Sequence, residues 1–399
     1  MGPNDRVGGR SSSPNPRWMF SRQALFLSVF LVFGQSANGY GILTHQQIID
    51  HSWESTIVPL LRSRYPSLLP EQLRRAHAYA YGGSVIQDLG YYPFGNTFFS
   101  DLTHYVRSGD FVRSLFQNAH TADETAFAIG SLAHYVGDSI GHSQATNVAV
   151  ALAFPKLSKK YGRSVSYAQS KSAHGQIEFA FDVNQAAKRR VAPYDYVGYI
   201  GFEVPWGQLA AAFSETYGFP IHDILGQPHN VLRFYRFGAR RFLPAFTYAE
   251  ALIHGRGFPT DTHGPEFDLY EQRTAQLARE AEWNRYRKKP GIGTHLLAGL
   301  IFVLPKIGPI KMLAIKGPTE YTESLYVESV NLATTALALA LNQLGDPESP
   351  AGSMTDRNMV EAIRRSNAIA GANAFGQAEA AVAAGLTLTL PPAWSRIAI

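Results

Sequence analysis

The stretch His134-Tyr-Val-Gly-Asp138-Ser-Ile-Gly-His142 constrains this chain more than any other. In a helix, positions i, i+4 and i+8 drift only about 40° per step, so the three side chains share one face. The preceding residues, from Phe127 to Leu132, are apolar and predict that this helix is buried. A buried helix with three polar groups on one face must satisfy them, and a metal ion does so directly.

Other segments offer matching donors. His174-Gly-Gln-Ile-Glu178 repeats the i, i+4 spacing, with Asp182 one turn further on. Asp88 follows an apolar helical stretch and precedes an aromatic loop, and His104 lies in Asp101-Leu-Thr-His104-Tyr. His45 closes Tyr40-Gly-Ile-Leu-Thr-His45. Five histidines and three carboxylates in four segments exceed the needs of one zinc and imply two or three metals. The chain has no cysteine, which removes thiolate-ligated zinc, iron–sulfur clusters, disulfides and cysteine nucleophiles. Imidazole and carboxylate without thiolate suit zinc.

The apolar periodicity predicts an all-α fold: a multi-helix bundle with the metal ligands in a cleft. Helices are expected over 46–61, with Thr44 as N-cap, and over 71–82, 125–143, 267–288 and 321–344. Loops are expected at 90–96 and around Pro155. Residues 296–304 form nine apolar residues in a row, followed by prolines and by Lys306, Lys311 and Lys316. They are too few to span a bilayer. They read as a buried hairpin, or as an interfacial element in which 296–316 touches a membrane surface. The catalytic-type domain is expected over 40–345, and the Ala/Gly-rich stretch 346–399 reads as a peripheral tail.

Residues 1–39 read as a signal peptide. Arg17 and Arg22 precede an apolar run from Ala24 to Phe33, and small residues follow at Ala37 and Gly39. The protein is therefore expected to be exported, to a periplasmic or extracellular location. The whole chain carries a formal +5. The leader holds four arginines against Asp5, so residues 40–399 carry only +2. That balance offers no electrostatic footprint for a stable nucleic-acid partner.

The order of these donors resembles the bacterial zinc-dependent phospholipase C family. Its relatives are the fungal single-strand-specific nucleases and the N-terminal domain of glycosylphosphatidylinositol-specific phospholipase D. The resemblance runs from Tyr40 to about Asp182. It implies three Zn2+ ions and a first mature residue that ligates zinc through its amino nitrogen and carbonyl oxygen. Here that residue is Tyr40, joined by His45. It further implies that Asp88, His104, His134 and Asp138 hold the adjacent metal, with Asp138 bridging, and that His174 and Glu178 hold the third. Glu178 matches the phospholipase side, since the nuclease branch has aspartate there. The bacterial phospholipases place a histidine six residues after the bridging aspartate, where this chain has Gln144. The phospholipase D branch places it four residues after, as His142 stands here.

The implied activity is phospholipase C-type hydrolysis of a phosphoester by a metal-activated water, with Asp88 as the catalytic carboxylate and phospholipid as substrate. Two other functions fit the same residues. One is a single-strand nuclease or nucleotidase, and the other is a zinc-stabilised membrane-surface protein without turnover. Tyr91, Tyr92, Phe94, Phe98 and Phe99 lie between two ligands, where they either line a pocket mouth or pack.

Overall fold

The computed structural model describes residues 41–226, 228–254, 257–258, 263–303 and 314–345. The expected signal segment 1–39, Tyr40, the tail 346–399 and the 304–313 part of the lipid-contact stretch lie outside the described residues. Among the described residues every regular element is helical, and there is no strand. The expected all-α class is the observed one.

The helices of nine residues or more are α1 (Ile42–Ser52), α2 (Pro70–Gly83), α3 (Thr97–Tyr105), α4 (Ser108–Gln117), α5 (Ala122–Gly141) and α6 (Lys171–Ala187). They continue as α7 (Trp206–Tyr217), α8 (Pro228–Phe237), α9 (Leu243–His254), α10 (Pro265–Glu280), α11 (Ile292–Val303) and α12 (Glu320–Gly345). The centre of the bundle is α5. It starts with a reciprocal cap in which the Glu124 amide donates to Thr121 Oγ1 and the Thr121 amide donates to Glu124 Oε2. Helices α1, α2, α4 and α12 pack around it.

The α2–α5 crossing depends on two glycines. A Cβ on Gly83 would stand 2.0 Å from the Phe127 carbonyl oxygen, and one on Gly130 2.2 Å from that of Ala80. With both side chains absent, the backbones approach closely, and Phe127, Ala80 and Leu132 are fully buried nearby. This close crossing carries the loop after α2, which bears Asp88, onto the middle of α5.

Several local expectations change. Thr44 does not cap α1. The cap comes from α6, where Asp182 accepts from the amides of Leu43 (2.9 Å) and Thr44 (3.0 Å) and from Thr44 Oγ1 (2.7 Å). The helix expected over 46–61 begins earlier and passes through a π-helical turn, Trp53–Ile57, before resuming as Val58–Arg64. A second π turn, His142–Thr146, follows α5 directly. Pro155 opens a helix instead of a loop, as proline at a first helical turn can. The helix expected over 267–288 stops at Glu280, where Glu282 takes a left-handed backbone. Residues 292–303 form a helix with much of its apolar surface exposed, so this part of the expected buried hairpin is not buried.

Helix α12 is long and apolar enough to cross a membrane, but about two thirds of its most apolar window is buried inside the bundle. It is held there by charge as well as packing. Glu323, fully buried, accepts from Lys188 Nζ (2.7 Å) and from Arg190 Nη1 (3.1 Å). Lys188 and Arg190 thus clamp α12 from inside, while Arg189 between them is exposed.

Candidate metal centre

The eight donors reach the site from six elements of the bundle. His45 comes from α1, Asp88 from the 3-10 turn Ile86–Tyr91, His104 from α3, His134 and Asp138 from α5, and His174 and Glu178 from α6. His142 enters from the π turn after α5. π turns of this kind recur at functional positions because they shift side-chain register.

The structure brings these eight into three groups of potential metal donors: His45, His134 and Asp138; Asp88, His104 and His134; and His142, His174 and Glu178. Within each group the donor atoms lie within 4.8 Å of one another. Tyr40, the ninth expected ligand, lies outside the described residues. The third group includes His142, four residues after Asp138. Asp182 stands apart, engaged in capping α1.

Asp138 joins the groups. Its Oδ1 lies 3.3 Å from His45 Nε2 and 3.8 Å from His142 Nε2, and its Oδ2 lies 3.2 Å from His134 Nε2 and 3.4 Å from His104 Nε2. Asp88 Oδ1 is 3.4 Å from His104 Nε2. His142 Nε2 is 3.5 Å from Glu178 Oε1. His45, His134, His174 and Glu178 form the buried floor, while the side chains of His142 and Asp138 retain 21 % and 12 % exposure at the open side.

Backbone carbonyls fix three imidazole tautomers. A carbonyl only accepts, so the ring nitrogen facing it carries the proton. His134 Nδ1 donates to the Ser84 carbonyl at 2.9 Å, His104 Nδ1 to that of Ser100 at 2.7 Å, and His174 Nε2 to that of Val165 at 2.6 Å. The other ring nitrogen of each then turns its lone pair into the site, the arrangement metal-binding histidines use. Two such nitrogens, on His134 and His104, face each other at 3.1 Å. His174 Nδ1 faces Glu178 Oε1 at 3.3 Å. Acceptor against acceptor is repulsive unless a cation lies between, so the donor chemistry fits zinc.

The electrostatics agree with this fit at His45, His142 and His174, whereas His104, without a cation beside it, holds a second proton against the carboxylates. Burial, and then the neighbouring imidazole of His134, keeps His45 neutral by lowering its pKa. Burial followed by His142 lowers His174 to about 3. Burial also lowers His142, against the pull of Asp138. Neutral imidazole is the form that binds metal. Burial opposes charge on His104 too, yet the carboxylates of Asp138 and Asp88 push it up to about 10. Burial would raise Asp138, but the surrounding imidazoles, His134 and His142 first, hold it well below the usual carboxylate range.

The aromatic loop packs more than it lines a mouth. Tyr92 meets Tyr235 edge-on at 5.0 Å and Phe99 stacks on Phe213 at 5.5 Å, both buried. Phe94 packs on Phe234 instead, at 4.9 Å. Two tyrosines that sequence reasoning passed over stand closer to the donors. Tyr105 follows His104 directly, with ring centroids 5.8 Å apart, and is 45 % exposed. Tyr167 meets His174 edge-on at 5.9 Å, and its hydroxyl has no hydrogen-bond partner. Burial first, then nearby carboxylates including Asp138 for Tyr105 and Glu178 for both, raises the two phenols, so each keeps its proton. The adjacency of Tyr105 to His104 was visible in the sequence. Tyr167 carried no such signal, because only the fold brings it to His174.

Residues 44–222 match the family model described as zinc dependent phospholipase C, and the matched span contains all eight clustered donors. No curated protein and no solved structure matches the chain. With the fold, the donor geometry and the match in agreement, residues 44–222 are similar to the zinc-dependent phospholipase C family.

Proposed function

We propose that the protein hydrolyses the phosphodiester of a phospholipid on its glycerol side, releasing diacylglycerol and a phosphorylated head group. The observation that carries this reading is the single carboxylate, Asp138, facing donors of all three groups beside an opening that bears Tyr105. Asp88, His104, His134 and Asp138 would hold one Zn2+, and His142, His174 and Glu178 a second. His45 and Asp138 would hold the third, with the amino nitrogen and carbonyl oxygen of Tyr40. Zinc bound by such donors polarises phosphoryl oxygens and lowers the pKa of water.

The remaining tasks fall to the chain itself. Asp88 Oδ1, buried and without a hydrogen-bond donor, orients the attacking water and accepts its proton. The water oxygen forms a bond to phosphorus as the bond from phosphorus to the glycerol oxygen breaks, and the departing oxygen takes up a proton equivalent to the one Asp88 accepted, which restores the carboxylate through solvent. Tyr105 and Tyr167, held protonated, donate to non-bridging oxygens of the phosphate. Tyr40 has a free amino group only if the leader is cleaved after Gly39, so export and processing belong to the same proposal. A free α-amino group near pH 7.7–8.0 in reference pKa gives up its proton more readily than a lysine does.

The test is product analysis with the exported, processed protein. Release of diacylglycerol from phospholipid, lost on chelation and regained with zinc, supports the reading. Degradation of single-stranded DNA without phospholipid cleavage would transfer the site to the nuclease class. Zinc binding without turnover on either substrate would leave a structural role.

A further inference from the structure

We propose that α11 is the element by which this protein docks on an anionic lipid bilayer, an inference that draws on the phospholipid reading above for its choice of occupant. Helix α11 packs against α9 through one side, where Ala298 and Ile301 are buried. Its other side presents Ile292 (81 % exposed), Leu296 (70 %), Phe302 (71 %) and Val303 (73 %), with Leu300 beside them. From Pro290 to Pro305 the sequence contains no Asp, Glu, Lys or Arg. Surface helices of water-soluble proteins turn a polar face outward, and large contiguous apolar patches mark interaction sites. At 12 residues the helix is too short to span a bilayer. The protein therefore presents an apolar face of the size that lies in an interface instead of crossing it.

Charge selects the occupant. Between Glu282 and Glu320 there is no acidic residue, whereas Arg285, Arg287, Lys288, Lys289, Lys306, Lys311 and Lys316 lie there. Residues 40–399 carry only +2 in all, so this stretch holds seven positive charges and the remainder has five negative in excess. Lys288 and Lys289 are exposed immediately before α11, and Lys316 is exposed after it. Lys288 and Arg285 pair with Asp195 and Glu282 respectively, while Lys289 has no acidic partner among the described residues. Cations flanking an apolar face match phosphate head groups around an acyl interior. A second copy of this chain would bring another basic, acid-free stretch to the same face.

The experiment is sedimentation of the full processed chain with vesicles of phosphatidylcholine, and with vesicles of equal parts phosphatidylcholine and phosphatidylglycerol. The mixed vesicles should bind it more tightly, and added salt should weaken that binding. Leu296→Glu combined with Phe302→Glu should reduce binding by about tenfold or more. Lys288→Glu with Lys289→Glu should remove the preference for the mixed vesicles. These positions are already exposed, and all variants should keep wild-type hydrolysis of a short-chain phospholipid dissolved as monomer. The binding readout does not require turnover, so failure of the phospholipase reading would appear as absent hydrolysis with vesicle binding intact. Absence of vesicle binding, binding unchanged in Leu296→Glu/Phe302→Glu, or a solution dimer that this pair of substitutions dissociates would overturn the proposal.

Discussion

His51 shows how much a single side chain here can couple stability to pH. Burial, with the Arg273 charge as a second cause, lowers it from 6.5 to about 3. Between those pH values the unfolded chain takes up a proton that the folded chain refuses. Stability is therefore lost as pH falls through 6.5, and the loss levels off near pH 3, at about 5 kcal/mol. His51→Gln should flatten that acid limb, seen as a smaller difference between unfolding free energies at pH 7 and pH 4.5 than in the wild type. An equal pH dependence in both proteins would contradict the burial argument. Asp88 makes a separate prediction, because its proposed work is on a proton. Asp88→Asn should lower turnover about a hundredfold or more while bound zinc falls far less. Full activity in that variant would remove Asp88 from the mechanism. The i, i+4, i+8 run at His134, Asp138 and His142 was legible as a site because one helical face was enough to define it. Tyr167 was not, since its approach to His174 is a tertiary fact.

At the level of elements, the site depends on how helices are locked together. Gly130→Val should overfill the α2–α5 crossing and cost about 3 kcal/mol, read as a lower denaturation midpoint. It should also pull Ser84 from His134 and reduce zinc content. Unchanged stability would mean that the two backbones can separate freely. Asp182→Ala leaves the Leu43 and Thr44 amides and the Thr44 hydroxyl without this acceptor. The expected cost is about 3 kcal/mol, visible in thermal unfolding, and fraying should concentrate in α1. Asp182 also explains part of what the sequence withheld. Burial raises it to about 6 despite those three hydrogen bonds, and nothing in its local spacing distinguished a distant cap from a ligand. Helix α5 was readable from its apolar period alone, although the Thr121–Glu124 cap starts it at Ala122, three residues before the expected start. The ends of other helices were not, because π turns and a left-handed residue at Glu282 obey backbone geometry that periodicity does not carry.

Across the whole molecule, the metal donors and the basic apolar surface are separated. The donor groups occupy the centre of a helical bundle, and the positive charge gathers in the one stretch that also exposes an apolar helix. Such a molecule stores much of its polar chemistry inside, where it is costly without a counter-ion. Chelation should therefore lower the melting temperature markedly, and zinc should restore it. A melting curve unaffected by chelation would mean that the buried carboxylates and imidazoles are satisfied by one another. The most direct measurement of the central claim is zinc content, by elemental analysis of protein exported and processed by its host. Three zinc ions per chain, one for each donor group, with Tyr40 as the first residue, is the predicted result. One ion or none in properly processed protein would contradict the account of this centre.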